Sequence, residues 1–139
     1  MPSLILKTAT RLLAGLIIVF SVYLLVRGHH APGGGFAAAL TAATAFALLT
    51  ISEGVASLRK ALRVDPRTIS MCGLGIAVFS GVISVLAGRP FLTGIWFRVG
   101  AESGIPVMLG SPLLFDIGVC LVVLGTILTL ILALEEEIR

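Results

Sequence analysis

The sequence predicts an all-helical membrane protein, and its composition, its hydropathy and the length of its apolar stretches support that prediction. Of its 139 residues, 58% are hydrophobic and only 12% are charged, about half the charged fraction of a typical soluble domain. The mean hydropathy is +1.13. Because so few polar side chains cannot cover a water-exposed globule, lipid is the predicted solvent for most of the surface.

Four apolar stretches are long enough to cross the hydrocarbon core of a bilayer, which is roughly 30 Å thick and needs about 20 residues of helix. They cover about 4–26, 34–58, 69–87 and 113–134, inside one integral-membrane domain of residues 1–139. Charges, glycines or prolines bound each stretch. None alternates polar with apolar residues as a membrane β-strand does, so four transmembrane helices are predicted.

The positive charges predict that the N- and C-termini are both cytoplasmic. With the N-terminus inside, seven Lys and Arg residues fall on the inner side and three on the outer side, and cytoplasmic loops are the ones rich in these residues. The inner set is Lys7, Arg11, Arg59, Lys60, Arg63, Arg67 and Arg139, and the outer set is Arg27, Arg89 and Arg98. No small-residue cleavage site follows the first stretch, so we expect a membrane helix there rather than a removed signal peptide.

The same composition excludes several classes of function. A formal net charge of +3, spread along the chain, is too small for a nucleic-acid-binding surface. The two cysteines show no metal-ligand spacing, so no metal site and no cofactor are expected. Little of the chain lies outside the four stretches, which argues against an enzyme acting alone.

Small residues predict close packing between helices, because helices in lipid associate where small side chains let their backbones approach. Helix two carries a run of alanine and threonine over 37–45, and further small residues lie on the later helices. These are Gly73, Gly75 and Gly81 in helix three, and Gly118, Gly125 and Thr129 on one face of helix four. Four helices offer few partners for so much small-residue surface, so we expect other chains to supply some. Packing within the bundle is the alternative.

The connection between helices one and two is the first candidate site. Three glycines after a proline do not form regular helix, so helix two is predicted to have a broken start. Irregular backbone at membrane depth persists only where protein buries it or where it lines a wet cavity. An extramembrane turn with solvated histidines is the alternative, and the absence of a following Lys-Ser or Lys-Thr excludes a phosphate-binding loop. The candidate residues are His29, Pro32, Gly33, Gly34, Gly35 and Phe36.

Two carboxylates near helix ends are the other candidates. Asp116 lies three residues into predicted helix four, after Ser111 as N-cap. Its charge either stabilises the start of that helix or handles protons or cations near the outer interface. Glu53 lies about five residues inside the predicted end of helix two, where it pairs with Arg59 or its basic neighbours, or lines an ion path. No span carries a charge at its midpoint, so this chain is not expected to hold the main ion-translocating residues by itself.

The segment 88–110, between helices three and four, carries Trp96 and several other large apolar side chains. An aromatic anchor at the lipid interface explains Trp96. A docking surface for a neighbouring subunit explains the whole apolar segment. The sequence leaves both interpretations open.

Two motifs give the chain a specific resemblance to a known family. Residues 27–36 read RGHHAPGGGF, and residues 111–119 read SPLLFDIGV. In this order, and in a chain of this length, they resemble the B subunit of the multisubunit Mrp (Mnh) cation/proton antiporters. Residues 32–36 match the glycine motif of that family, and Asp116 matches its carboxylate in helix four. His30 departs from the family pattern, which often has Asn, and Cys120 stands where Tyr is frequent.

The resemblance implies a function that the residues alone do not give. Such complexes exchange cytoplasmic Na⁺, or another monovalent cation, for external protons across a bacterial plasma membrane. It therefore implies an accessory integral-membrane subunit needed for assembly and transport, with the antiporter-like A and D subunits and several small hydrophobic subunits as partners, and Na⁺ and H⁺ as transported ions. The alternatives are the homologous subunit of a related membrane-bound hydrogenase, a small self-sufficient transporter, and a purely structural four-span protein.

Overall fold

The computed structural model describes residues 3–27, 34–90, 96–99 and 107–138. Two short strands lie between the last two helices and pair antiparallel, with Trp96 opposite Gly110. The elements of the described residues, in chain order, are α1 Leu4–Arg27, α2 Gly35–Glu53, α3 Val55–Leu62, α4 Pro66–Leu86, β1 Trp96–Val99, β2 Val107–Gly110 and α5 Ser111–Ile138.

Four helices, α1, α2, α4 and α5, are long and apolar enough to span a membrane, which confirms the predicted helical fold with four spans. α4 begins at Pro66 rather than at about 69, because the Asp65 side chain caps it by accepting a hydrogen bond from the Arg67 N–H (2.9 Å). The strand pair was not predicted, since each strand is only four residues long.

The predicted helix two, 34–58, is two helices in the structure. Gly54 ends α2 with a φ of +89°, a backbone conformation that glycine adopts without steric cost. The chain then re-enters a helix as α3, whose Leu58 is fully buried and whose Arg59 and Lys60 are exposed. α3 is therefore a short amphipathic helix at the end of the span rather than its continuation.

α2 is the central helix of the bundle. It packs between α1 and α5, and α4 packs along α5. The alanines of α2 fill these contacts, since Ala38 and Ala39 have no exposed surface. The Ser21 hydroxyl of α1 donates a hydrogen bond to the Ala38 carbonyl oxygen (2.8 Å), which joins the two helices inside the bundle.

Glycines bring α4 and α5 into backbone contact. A Cβ on Gly118 would lie 2.7 Å from the Gly73 carbonyl oxygen and 2.7 Å from the Ala77 amide nitrogen. A Cβ on Gly125 would overlap the Ser70 hydroxyl. The expectation that other chains pack against the glycines of these helices is therefore wrong for Gly73, Gly118 and Gly125. The space beside these glycines is already occupied by the neighbouring antiparallel span of the same chain, α5 for Gly73 and α4 for Gly118 and Gly125.

The first span begins, and the last span ends, at the same end of the bundle. There Arg11, near the start of α1, pairs with Glu53 at the end of α2. Arg59 of α3 pairs with Glu136 near the end of α5. The opposite end holds the starts of α2 and α5, which contact each other. This arrangement agrees with a topology in which both termini face one side of the membrane.

The outward faces of α1 and α4 remain apolar and uncovered. Leu12 and Val19 on α1 are more than two-thirds exposed, and Leu74 and Phe79 on α4 are more than half exposed. A Cβ on Gly75, on the same helix α4, would have no neighbour within 4 Å. In a membrane, such faces contact lipid or the helices of other proteins.

Candidate functional site at the start of α2

The two sequence motifs meet in the structure, although they lie far apart in the chain. Gly35, the first residue of α2, packs on the backbone of Asp116 in α5. A Cβ on Gly35 would overlap the Asp116 carbonyl oxygen and lie 3.1 Å from its carbonyl carbon. A Cβ on Gly34 would lie 4.0 Å from Asp116 Oδ2. We call this contact between Gly34, Gly35 and Asp116, together with the adjoining Phe36, the motif junction.

The backbone at Gly34 explains why a glycine stands there. Its φ of +105° and ψ of −171° lie in a region that is essentially restricted to glycine. Its N–H donates a hydrogen bond to the Leu24 carbonyl oxygen in the last turn of α1 (3.2 Å), satisfying one of the carbonyls that a helix end leaves without a partner. The irregular backbone supports the predicted broken start of helix two.

Asp116 lies deeper in its helix than predicted. α5 begins at Ser111, so Ser111 is a helical residue rather than the N-cap, and Asp116 falls in the second turn. The helix dipole acts mainly within the first turn, so stabilising the start of α5 is not the main effect of this carboxylate. It lies instead beside the start of α2, whose first N–H groups carry partial positive charge. The Asp116 carboxylate therefore stabilises the start of the neighbouring helix α2 rather than the start of its own helix.

The remaining residues of the glycine motif divide into two groups. Phe36 follows Gly35 in α2, and 60% of its surface is exposed, so its ring points away from the bundle. His29, Pro32 and Gly33 lie outside the described residues. The junction therefore fixes α2 against α5 and presents one aromatic side chain outward.

Glu53 pairs with Arg11 and not with Arg59. Arg11 Nε donates to Glu53 Oε1 (2.5 Å), and Arg11 Nη2 donates to Glu53 Oε2 (2.8 Å). Because α2 ends at Glu53, this carboxylate is at the end of the span and not five residues inside it. α3 starts after the break at Gly54, whereas α1 runs beside α2 and brings Arg11 to the carboxylate.

The two partners of this ion pair differ in exposure. The side chain of Glu53 is only 5% exposed, whereas that of Arg11 is 70% exposed. The carboxylate of the pair is therefore shielded from solvent, and the guanidinium is exposed. A guanidinium has five N–H donors, so this bidentate pair leaves further donors on the exposed side of Arg11.

We expect Arg11→Gln to lower the melting temperature more than Glu53→Gln does. The first substitution leaves a shielded carboxylate without its cation, whereas the second leaves an exposed guanidinium that water can solvate. Thermal unfolding of the detergent-solubilised variants measures the difference.

The double variant, Arg11→Gln with Glu53→Gln, should melt above Arg11→Gln alone, because no unpaired charge remains. Arg63→Gln, which removes an exposed cation outside both ion pairs, is the control. Equal decreases in melting temperature in the two single variants, or a double variant that melts no higher than Arg11→Gln, would contradict this account of the pair.

Arg11 and Ser21 make contacts that the sequence prediction did not assign to them. Arg11 and Glu53 both lie about four to five turns from the connection between α1 and α2, so antiparallel pairing of consecutive spans would have placed them opposite one another. Ser21 is a polar residue in an apolar stretch, and a polar group in lipid needs a hydrogen-bond partner. Both signals were present in the sequence.

The described residues contain no group of three His, Cys, Asp or Glu side chains placed to hold a metal ion. Both histidines of the sequence lie outside the described residues. The chemistry available at the two sites described above is therefore that of carboxylates, guanidinium groups and helix ends.

Comparison with known proteins identifies relatives over almost the full length of the chain. Residues 5–129 match a family described as a domain related to the MnhB subunit of Na⁺/H⁺ antiporter. The chain is 38% identical over 138 residues to the B subunit of the Na⁺/H⁺ antiporter of Bacillus subtilis (strain 168), covering 96% of this chain and 94% of that protein. It is also 38% identical over 137 residues to the protein of the same name in Alkalihalophilus pseudofirmus, covering 96% and 92%.

The fold is similar to part of a solved structure, the Mrp complex from Dietzia sp. DQ12-45-1b. The TM-score is 0.82 at 34% sequence identity, and the match covers 94% of this chain. This chain spans 14% of that longer chain. The family match includes both motifs, nearly all of the first three spans and most of the fourth, so this chain belongs to the family of domains related to the MnhB subunit of Na⁺/H⁺ antiporters.

Proposed function

We propose that this chain is an accessory integral-membrane subunit of a multisubunit antiporter that exchanges a monovalent cation for protons. Na⁺ is the proposed cation. The observation that carries the proposal is 38% identity, over nearly the whole of both chains, to proteins named as the B subunit of Na⁺/H⁺ antiporters. The match to a chain of an Mrp complex supports a multisubunit assembly. The four apolar spans place the protein in a membrane, and its relatives make this a bacterial plasma membrane.

The distribution of charge supports an accessory role rather than a self-sufficient transporter. Residues 12–26, 36–52, 70–85 and 117–134 contain no Asp, Glu, Lys, Arg or His. Moving protons or cations across a bilayer relies on ionisable or polar groups along the path, and the Asp, Glu, Lys and Arg residues among the described side chains lie near the ends of the helices. Larger antiporter-like partner subunits would supply the central part of the path, and this chain would perform no catalysis.

The proposed topology has both termini in the cytoplasm. The two described ion pairs place the start of α1 and the end of α5 at the end of the bundle that carries α3. That end also holds the basic cluster Arg59–Arg67, and clusters of Lys and Arg mark the cytoplasmic side. The motif junction would then face the outer side of the membrane.

At that outer end, the motif junction is proposed to dock against neighbouring subunits. His29, Pro32 and Gly33 would complete the broken start of α2, with His29 as a polar lining and Asp116 holding the helix end in place. Glu53, at the inner end, would act through its ion pair with Arg11. Phe36 is the proposed anchor because its ring is exposed beside the backbone contact.

Phe36→Ala tests the proposed anchor. Because the ring is 60% exposed, its removal should leave the thermal stability of the isolated chain nearly unchanged. A buried aromatic anchor of an interface contributes about 2 kcal/mol or more, so binding of partner subunits should weaken roughly 30-fold or more. The measurement is the amount of partner that co-purifies with the tagged chain, together with Na⁺ extrusion by the cells.

Phe79→Ala is the matched control, since Phe79 is 57% exposed and lies on α4, which is not one of the two helices that form the motif junction. Unchanged assembly and unchanged Na⁺ extrusion in Phe36→Ala would show that Phe36 is not an anchor of the interface. Equal losses in both variants would mean that the contact is not specific to the motif junction.

Purification of the tagged chain from its native membrane in mild detergent tests the function itself. Mass spectrometry of the components that co-migrate on a native gel should identify large antiporter-like subunits and several small hydrophobic ones. Hydrogenase subunits in the same band would favour a redox-driven complex. A lone monomer or homodimer would overturn the accessory-subunit assignment.

A further inference from the structure

A groove lies on the surface of the bundle between α1, α2 and α3, with a volume of about 540 Å³. Its long part is apolar on both sides. The walls are Ala14, Gly15 and Ile18 from α1, and Phe46 and Leu49 from α2. Water gains no hydrogen bonds from such walls, so an apolar occupant would be favoured there.

One end of the groove is charged. Arg11, Glu53 and Lys60 line this end, together with the hydroxyl-bearing Ser57. The two cations are exposed, whereas Glu53 is turned into its pair with Arg11 and is only 5% exposed. The formal charge of the lining is therefore positive by one, and the groups that a ligand meets are a guanidinium and an ammonium.

The apolar part of the groove is long enough to hold a segment of one extended hydrocarbon chain. Arg11 and Ile18 are about two helical turns apart, which is a length of about 10 Å. Gly15 lies between them, and a Cβ at this position would meet no atom within 4 Å. The wall is thus lowest halfway along the apolar part.

We propose that this groove binds an anionic phospholipid. Its phosphate would lie against Arg11 and Lys60, and one acyl chain would run along Gly15 and between Ile18 and Phe46. The argument is complementarity at both ends: the exposed cations require an anion, and the apolar walls require hydrocarbon in the same molecule. Basic pockets between membrane helices bind anionic headgroups by this chemistry.

The charge and the shape favour a phospholipid over other occupants. Inorganic phosphate or glycerol phosphate would use only the charged end, and a zwitterionic lipid would bring its own cation close to Arg11 and Lys60. A helix from another protein has a diameter of about 10–12 Å including its side chains, so it would enter the groove beside Gly15 only with separate side chains and not with one continuous hydrocarbon chain.

The test is native mass spectrometry of the purified full chain, with the subunits that co-purify, titrated separately with phosphatidylglycerol, phosphatidylcholine and glycerol 3-phosphate. We expect phosphatidylglycerol to bind in preference to the other two probes. Lys60→Gln should weaken it about fivefold, which corresponds to the roughly 1 kcal/mol that one basic residue contributes near an anionic lipid surface.

Gly15→Leu should weaken phosphatidylglycerol binding at least about tenfold, because the side chain displaces methylene groups of the lipid from the groove. Gly75→Leu and Arg63→Gln are the matched controls. Gly75 also has no neighbour within 4 Å of an added Cβ, and Arg63 is a cation near α3 that does not line this groove. Both controls should bind phosphatidylglycerol as the unmodified chain does.

Three results would overturn the proposal. Equal binding of phosphatidylglycerol and phosphatidylcholine would show that the cations do not select the lipid. Binding of glycerol 3-phosphate as tight as that of phosphatidylglycerol would show that the apolar walls do not contribute to binding. Loss of a partner protein in Gly15→Leu, with phosphatidylglycerol binding unchanged, would make the groove a protein interface. The composition of the complex can be read from the same spectra, so a failed antiporter assignment would remain distinguishable from a failed lipid site.

Discussion

Gly35→Ala is expected to disrupt the motif junction and to destabilise the chain by about 1–3 kcal/mol, the usual effect of forcing extra atoms into a packed interior. The added Cβ would overlap the Asp116 carbonyl oxygen and approach its carbonyl carbon to 3.1 Å. Both are backbone atoms, so a side-chain rotation cannot relieve the overlap. α2 must move away from α5 as a whole, and the loss should be visible as a lower melting temperature in detergent.

Gly15→Ala is the matched control for this substitution. Gly15 is also in a helix of the bundle, but a Cβ there would meet no atom within 4 Å. Replacing a helical glycine by alanine in open space stabilises a helix by about 0.5–1 kcal/mol, so this variant should melt at the same temperature or slightly higher. A Gly35→Ala variant as stable as Gly15→Ala would mean that α2 and α5 are not in backbone contact.

Gly118→Ala is expected to separate α4 from α5, again at a loss of about 1–3 kcal/mol. Its Cβ would lie 2.7 Å from both the Gly73 carbonyl oxygen and the Ala77 amide nitrogen, and 3.0 Å from the Ala77 Cα. The helices pack along most of their length, so local movement at this point would also disturb the hydrogen bond from the Ser70 hydroxyl to the Val122 carbonyl oxygen (3.2 Å). Thermal unfolding and protease resistance of the full chain measure the effect.

Gly75→Ala on α4 is the control, because it adds the same methyl group where the structure leaves open space. The losses of stability caused by Gly118→Ala and Gly73→Ala should not be additive in the double variant, since both substitutions remove the same close approach of α4 to α5. Full additivity would show that the two glycines are not opposite one another. Packing of other chains against these glycines would then be the better explanation for them.

The four spans could be predicted because they depend on one quantity, the apolar character of about 20 successive residues. The break at Gly54 could not be predicted from that quantity, since the apolar character continues to Leu58, although the sequence places a glycine directly after Glu53. Its effect depends on the backbone conformation at Gly54 and on the burial of Leu58 against α5, both of which are tertiary features.

The candidate site was predicted as two separate pieces. The motif with Gly34 and Gly35 and the motif with Asp116 were both singled out, but nothing local to either motif states that α2 and α5 are neighbours. The partner of Glu53 was assigned wrongly for a related reason. Arg59 is close in sequence, whereas Arg11 is close in space because consecutive spans run antiparallel.

The common location of the start of α1 and the end of α5 has a consequence for how such a unit can be combined with others. The described residues form four spans, an even number, with the start of α1 and the end of α5 at one end of the bundle, so a unit of these spans crosses the membrane and returns to the same side. Joined to either end of a longer membrane polypeptide, it would leave the sidedness of every other span unchanged. A gene fusion or a gene split at these ends therefore requires no helix to be reoriented in the membrane, only a linker on one aqueous side.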